Sequence, residues 1–324
     1  MSYNIMNGFE EIEEHVIIQS RLISLNSRYA TKKINGENLS SLLFDFNSIS
    51  PKSVDTLYHT IAIQSAEIPA SYYNVNGKNN IINISDNVGT TASITIPEGN
   101  YNANTFASEF ITQFNAAAFA GNATLSYKEI SGKYSLMSDT NSTNLTINLA
   151  STTCRLPLGI ALDAVGTLVF NYAVGNATLL PLPADFLGVT KIKLLSDALA
   201  GGNFDSNNLN TTTLVDTISA TATPFGLIIY NSLGRESFVK SKRIDEIDVQ
   251  LLDQNNNLID FNGINWTMTL LINTHRRQKF SKKDGTILND KYVASLKALK
   301  KPESLKEELE DVNFDDDDDL LLNK

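Results

Sequence analysis

The side chains able to do chemistry are few and scattered. Three histidines, His15, His59 and His275, each stand without a second His or Cys at metal-ligand spacing. The single cysteine, Cys154, cannot form a disulfide within the chain or supply a zinc cluster. Its expected place is a small buried apolar position. Gly-Lys occurs in "NGKNN" and "SGKYS", but without the preceding glycine spacing of a phosphate loop, so both read as hairpin turns. There is no Gly-x-Ser-x-Gly elbow, nothing marks any serine as activated, and no carboxylate pair stands out for glycoside hydrolysis. The run Asp315 to Asp319 lacks the alternating acids, the Gly and the distant Glu of a calcium loop. Tyr72 and Tyr73 are candidates for a carbohydrate-binding face, although packing is the commoner fate of such a pair. The expectation is a non-enzymatic protein with no cofactor and no metal.

Charge is more informative. Across 324 residues the net charge is −10, and it is unevenly placed. From Arg276 to Lys301 nine Lys/Arg face two acids, and from Glu303 to Lys324 ten acids face two lysines. A basic segment is thus followed at once by an acidic one. The five bases Arg276, Arg277, Lys279, Lys282 and Lys283 and the acids Asp315, Asp316, Asp317, Asp318 and Asp319 are candidate assembly contacts, the acidic run docking as a latch on a basic surface. The acidic body and the adjacent acidic run argue against a nucleic-acid partner. No run of residues is apolar for the length that spans a bilayer, and "MSYNIMNGFEEIEEHVIIQS" lacks the basic-then-apolar pattern of a signal peptide.

The elements that must position these groups read mainly as strands. Charged residues reach only 19%, while Asn, Thr and Ser are abundant, which suits short strands joined by turns. Leu42, Phe44 and Phe46 alternate, as do Ile61 and Ile63, and Pro69 ends the latter strand by removing a ladder donor. Ile247, Val249 and Leu251 alternate with Asp248 and Gln250. In between, Phe106, Phe110, Ile111 and Phe114 form one helical stripe, with Asn104 as its expected N-cap. A hairpin through "SGK" and a further strand, "NLTINLA", follow it. Residues 155 to 212 read as mostly loop. The expected fold is mainly β: a jelly-roll-like antiparallel sandwich over 16–275 with an inserted α+β module at about 90–160. A polar N-terminal arm, 1–15, precedes it. A charged C-terminal arm, 276–324, follows, because the β pattern fades after Thr274.

Several motifs, in order, resemble capsid proteins of large double-stranded DNA viruses and their virophages. "ISLNSRYA" is followed by "YHTIAIQSAEIPASYYNVNGKNN", with the S-x-x-I-P-x-x-x-Y-N corner at Ser65, Ile68, Pro69, Tyr73 and Asn74. Then come "IPEGNYNANTFASEFITQFN", "LSYKEISGKYSLMS" and "CRLPLGI", a Gly-x-Tyr turn, a helix, a hairpin and a Leu-Gly close. "IDEIDVQLLDQNNNLIDFNGINWTMTLLI" is similar to the final strands of the same proteins. The resemblance implies a penton-type capsid protein at the vertices of the virion. Its expected partners are four further copies of itself, in a homopentamer, then the major capsid protein and other minor capsid proteins, with assembly in the host cytoplasm. The alternatives are a minor (cement) capsid protein of the lattice and a glycan-binding attachment protein.

Overall fold

Pairing of strands far apart in sequence organises most of the chain. The computed structural model describes residues 5–6, 9–36, 38–46, 56–117, 119, 122–138, 144–170, 178–199, 203–204, 211–231, 236–239, 244–283 and 286–289. The first part gives strands β1 (Ile5–Met6), β2 (Phe9–Asn26), β3 (Lys32–Lys33), β4 (Ser41–Asp45) and β5 (Thr56–Pro69). The middle gives β6 (Ile81–Asp86), β7 (Thr91–Thr95), helix α1 (Ala103–Ala116), β8 (Ala123–Lys128), β9 (Lys133–Ser138), β10 (Leu145–Asn148), the short helix α2 (Arg155–Leu158), β11 (Thr167–Phe170) and β12 (Thr178–Leu179). The last part gives β13 (Lys191–Leu195), β14 (Asn203–Phe204), β15 (Thr211–Thr212), β16 (Leu214–Ser219), β17 (Leu227–Asn231), β18 (Ser237–Val239), β19 (Glu246–Leu252), β20 (Thr267–Lys283) and β21 (Thr286–Asn289).

The chain divides into two units, one of Met1–Ser20, Pro51–His59 and Asn273–Lys324, the other of Arg21–Ser50 and Thr60–Ile272. The second unit holds an antiparallel β-sandwich. One of its sheets runs in the order β2-β20-β5-β17, with β18 also on β5; the other runs β16-β13-β19-β4-β3. Both sheets turn their alternate residues into one core. Ile23, Ile61, Ile63, Ile68, Ile228, Met268 and Leu270 come from the first, and Leu42, Phe44, Ile192, Leu194, Ile218, Ile247 and Val249 from the second. The period-2 patterns at 42–46, 61–63 and 247–251 therefore mark strands with one face inward. Trp266 is fully buried in this core: its indole N–H donates to the Leu39 carbonyl at 2.7 Å and its ring meets Phe44 edge-on.

The inserted module has its own core. A β11-β10-β6-β7 sheet and a β12-β9-β8 sheet are packed with α1 around Phe106, Phe110, Phe114, Tyr134 and Cys154. The three phenylalanines are at most 1% exposed, so the every-fourth-residue stripe is the buried face of the helix. Ile111 is only partly buried at its edge. The N-cap is Asn102, not Asn104: the Asn102 side chain accepts from the Asn104 and Thr105 N–H groups. Thr105 Oγ1 accepts the Asn102 N–H in return, a reciprocal capping box that Asn104, already in the first turn, cannot make. The "SGK" hairpin forms, with Gly132 at φ 66° and its N–H donating to the Lys128 carbonyl at 2.8 Å.

In the first unit, too, the described residues are mostly strand. Strand β2 starts at Phe9, where composition suggests a polar arm, and β20 runs to Lys283, beyond the fading of the apolar pattern after Thr274. Ladder pairing uses backbone groups and tolerates the switch to "RRQKFSKK" side chains. Beyond it, β21 pairs back on β20, Ile287 opposite Lys282.

Candidate assembly surfaces

The motif segments meet through one side chain. Asn74 lies just past the Ile68-Pro69 corner. Its Oδ1 accepts the Tyr101 N–H at 2.9 Å, and its Nδ2 donates to the Tyr101 carbonyl at 2.8 Å and the Phe186 carbonyl at 3.0 Å. The Asn74 N–H donates to Asn100 Oδ1 at 3.1 Å, and Val75 bridges Gly99 on both backbone groups. The "YYNV" corner thus grips the "EGNYN" turn one residue before the helix cap. Tyr101 sets its ring edge-on to Phe106 and donates its hydroxyl to the Pro97 carbonyl. Burial, with Glu109 and Cys154 adding to it, pushes the Tyr101 phenol above its ordinary value. Tyr134 ties the hairpin to the start of α1: its hydroxyl donates to the Ala103 carbonyl at 2.6 Å, and burial raises its phenol too.

The "CRLPLGI" segment is fixed by Arg155. Its guanidinium donates to the carbonyls of Thr152, Leu149, Leu162 and Ala164. Gly159 ends α2 at φ 77°, and a Cβ there would lie 2.2 Å from the Leu182 carbonyl oxygen, so the Leu-Gly close requires glycine.

The candidate chemical residues have structural surroundings. Cys154 is fully buried in the module core, which pushes its thiol up from the ordinary value. Tyr72 packs against the sandwich core with its hydroxyl 3.5 Å from the Val189 carbonyl oxygen, and Tyr73 beside it is half-buried. The histidines, far apart in sequence, come together in the first unit. Tyr58 stacks on His275 with ring centres 4.4 Å apart and meets His15 edge-on at 5.6 Å. The neighbouring His59 is buried, with Nδ1 3.1 Å from Thr274 Oγ1. Among the described residues no three His, Cys, Asp or Glu side chains are grouped to hold a metal ion, and no helix is long and apolar enough to cross a membrane.

Of the charged candidates, Arg276 is half-buried on β20. Arg277, Lys279, Lys282 and Lys283 continue the backbone of that strand, but their side chains lie outside the described residues, as do Asp315 to Asp319 altogether. Sequence reasoning did not single out the sandwich edges. Strand β17 ends one sheet beside β16 of the other, the Tyr230 hydroxyl donating to Asp216 Oδ2 at 2.8 Å. Its outward residues are Leu227 and Ile229, 51% and 68% exposed, where a solvated edge strand normally carries polar or charged residues. Strand β3 ends the other sheet with exposed Lys32 and Lys33, near exposed Arg28 and Tyr29. The segment "FGLIIYNS" was legible as a strand; that apolar side chains also stand on its outward face was the missed signal.

No protein-family model matches the chain, and no curated protein matches it. Among solved structures, the chain is similar to selenomethionine-labelled mavirus penton protein, at 11% identity and a TM-score of 0.42 over 79% of this chain and 99% of that one.

Proposed function

We propose that this chain is a non-enzymatic structural protein of a virion, a penton-type capsid protein that assembles into a five-fold ring at capsid vertices and contacts major capsid proteins. The observation that carries the reading is the Asn74 junction. The corner and the Gly-x-Tyr helix module, quoted separately in the resemblance to capsid proteins, are locked to each other by three hydrogen bonds to and from Asn74, with a fourth to Phe186. The ordered motifs thus act as one architectural unit on an antiparallel sandwich, with their polar residues spent on holding backbone. Such a molecule works by presenting surfaces, and closed rings follow when two different surfaces of one subunit mate. The charged segment from Arg276 and the acidic run Asp315 to Asp319 serve in this reading as contacts to neighbouring subunits or to other minor capsid proteins.

Electron microscopy of the purified full chain at several concentrations tests this. Rings with five-fold symmetry are expected. A chain that stays monomeric at high concentration, and lies away from vertices in virions, overturns the penton reading and leaves a cement protein of the lattice.

A further inference from the structure

Phe225 has a conformation that a bulky residue rarely adopts. Its φ is 63°, and it is 70% exposed. The Gly226 N–H donates to the Thr223 carbonyl at 2.8 Å, so Thr223-Pro224-Phe225-Gly226 is a tight turn with Pro at its second position. A positive φ at the third position makes it type II, where Gly or Asn is the usual residue. The turn is pinned on both sides. The Phe225 N–H donates to the Ala70 carbonyl at 2.8 Å, and the Ala70 N–H donates to the Gly226 carbonyl at 2.9 Å. The fold therefore holds an aromatic ring out into solvent in a left-handed conformation, at a position where glycine would fit without strain. Strain kept in this way marks a residue used for something other than folding.

The ring is not isolated. Strand β17 begins two residues later, and its outward side chains are Leu227 and Ile229. Phe238, on the β18 strand that also pairs β5, is 59% exposed. Strand β17, "LIIYN", carries no charge, and among the described strands it is the edge of its sheet, the kind of strand that proteins normally blunt or cover. The opposite flank of the sandwich differs. Strands β16 and β3 are the opposite edges of one sheet, and the Tyr230–Asp216 hydrogen bond sets β17 of the other sheet beside β16. The β3 side presents Lys32, Lys33 and Arg28, with the Arg28 guanidinium 6.0 Å over the Tyr29 ring and Tyr29 itself 74% exposed. Among the described residues of β17, β18 and the part of β5 paired with β17 there is no base, while Glu67, opposite Ile229, is exposed. Among the described residues, the first flank is apolar with an acid, and the other carries three bases and an exposed tyrosine, with exposed Asp45 of β4 nearby. Such a pair suits a head-to-tail contact between two copies.

We propose that the Phe225–Leu227–Ile229 edge docks on the Arg28–Lys32–Lys33 flank of a second copy of this chain, with Phe225 as the anchor. This rests on the capsid-ring reading and supplies its interface. The occupant is a second copy because the same chain offers the complementary flank on its far side, as a heterologous contact requires. Aromatic and arginine side chains are the residue types that dominate such interfaces.

The test is sedimentation and native mass spectrometry of the full chain and of Phe225→Gly, Ile229→Lys and the double variant Lys32→Glu/Lys33→Glu. Phe225→Gly is expected to weaken association at least 10-fold while its melting temperature stays level or rises, since glycine relieves the left-handed strain. Ile229→Lys and the double variant are each expected to stay monomeric. Mixed together, they should associate again, because each retains one intact flank for the other. Wild-type rings that persist in Phe225→Gly and Ile229→Lys overturn this interface and leave the ring reading standing. Assemblies that never close into rings, yet dissolve in the Phe225 variant, keep the interface and overturn the ring. A wild-type chain that never self-associates overturns both.

Discussion

Asn74 grips Tyr101 as a strand would, accepting its backbone N–H at 2.9 Å and donating to its carbonyl at 2.8 Å. The side-chain amide substitutes for a peptide unit, and it spares one N–H to hold Phe186 as well. Replacing Asn74 with Ala removes the partners of three backbone groups. The expected loss is about 2–4 kcal/mol, from about 1 kcal/mol per bond plus unsatisfied buried groups. Asn74→Asp is no rescue, because a carboxylate faces the Tyr101 and Phe186 carbonyls without a proton to donate. Urea unfolding reads both variants. A change under about 0.5 kcal/mol in Asn74→Ala means that the junction is incidental to stability, a neutral result by the measure of ordinary surface changes.

The start of α1 gives a sharper comparison, because two asparagines stand two positions apart. Asn102→Ala is expected to cost about 1 kcal/mol through loss of the cap, and Asn104→Ala to cost less than about 0.5 kcal/mol. Equal effects in the two variants contradict the capping box of Asn102 with Thr105.

These particulars show what the sequence made legible and why. Period-2 and period-4 apolar spacing exposes which faces are buried, so the sandwich strands at 42–46 and 247–251 and the phenylalanine stripe were readable. Caps and junctions depend on backbone geometry a residue or two either way, so Asn102 and Asn104 look alike before the turn is built. Where ladder pairing continues beneath charged side chains, as at Arg276 to Lys283, apolar spacing carries no signal. Contacts between distant segments, such as His15 and His275 on Tyr58, leave none either. Of the candidate surfaces, the sequence displayed the charge-split C-terminal segment. It hid the apolar outer face of β17, because "LIIYN" reads the same whether one face or both are covered.

Cys154 is a reporter of native packing. Burial raises its thiol above the ordinary value of 9.0, so at neutral pH it stays protonated and out of reach. Native chain is expected to resist a thiol reagent that labels the urea-unfolded chain fully. The sign of its pH effect follows. Above about pH 9 the unfolded chain releases the thiol proton and the native chain keeps it, so this group's contribution to stability falls as pH rises, by about 1.4 kcal/mol per pH unit. Cys154→Ala should remove that component of the alkaline slope. Rapid labelling of the folded chain contradicts the buried position.

Truncation separates the two units of the chain. The sandwich core ends at Ile272, whereas β20 continues to Lys283 and pairs β21 at Thr286–Asn289. Removing 290–324 leaves every described strand, and its melting curve is expected to match that of the full chain. Removing 276–324 keeps the sandwich residues but strips β20 of its outer length, which neighbours β2 and β5 in sheet order. The melting transition should survive, while amides in the first half of β2, up to Ile17, exchange with deuterium at least 10-fold faster. Unchanged exchange there would show that β2 draws its protection from elsewhere. A lost melting transition would show that the sandwich depends on residues beyond Ile272, and that the division of the chain at 272/273 is not a division in stability.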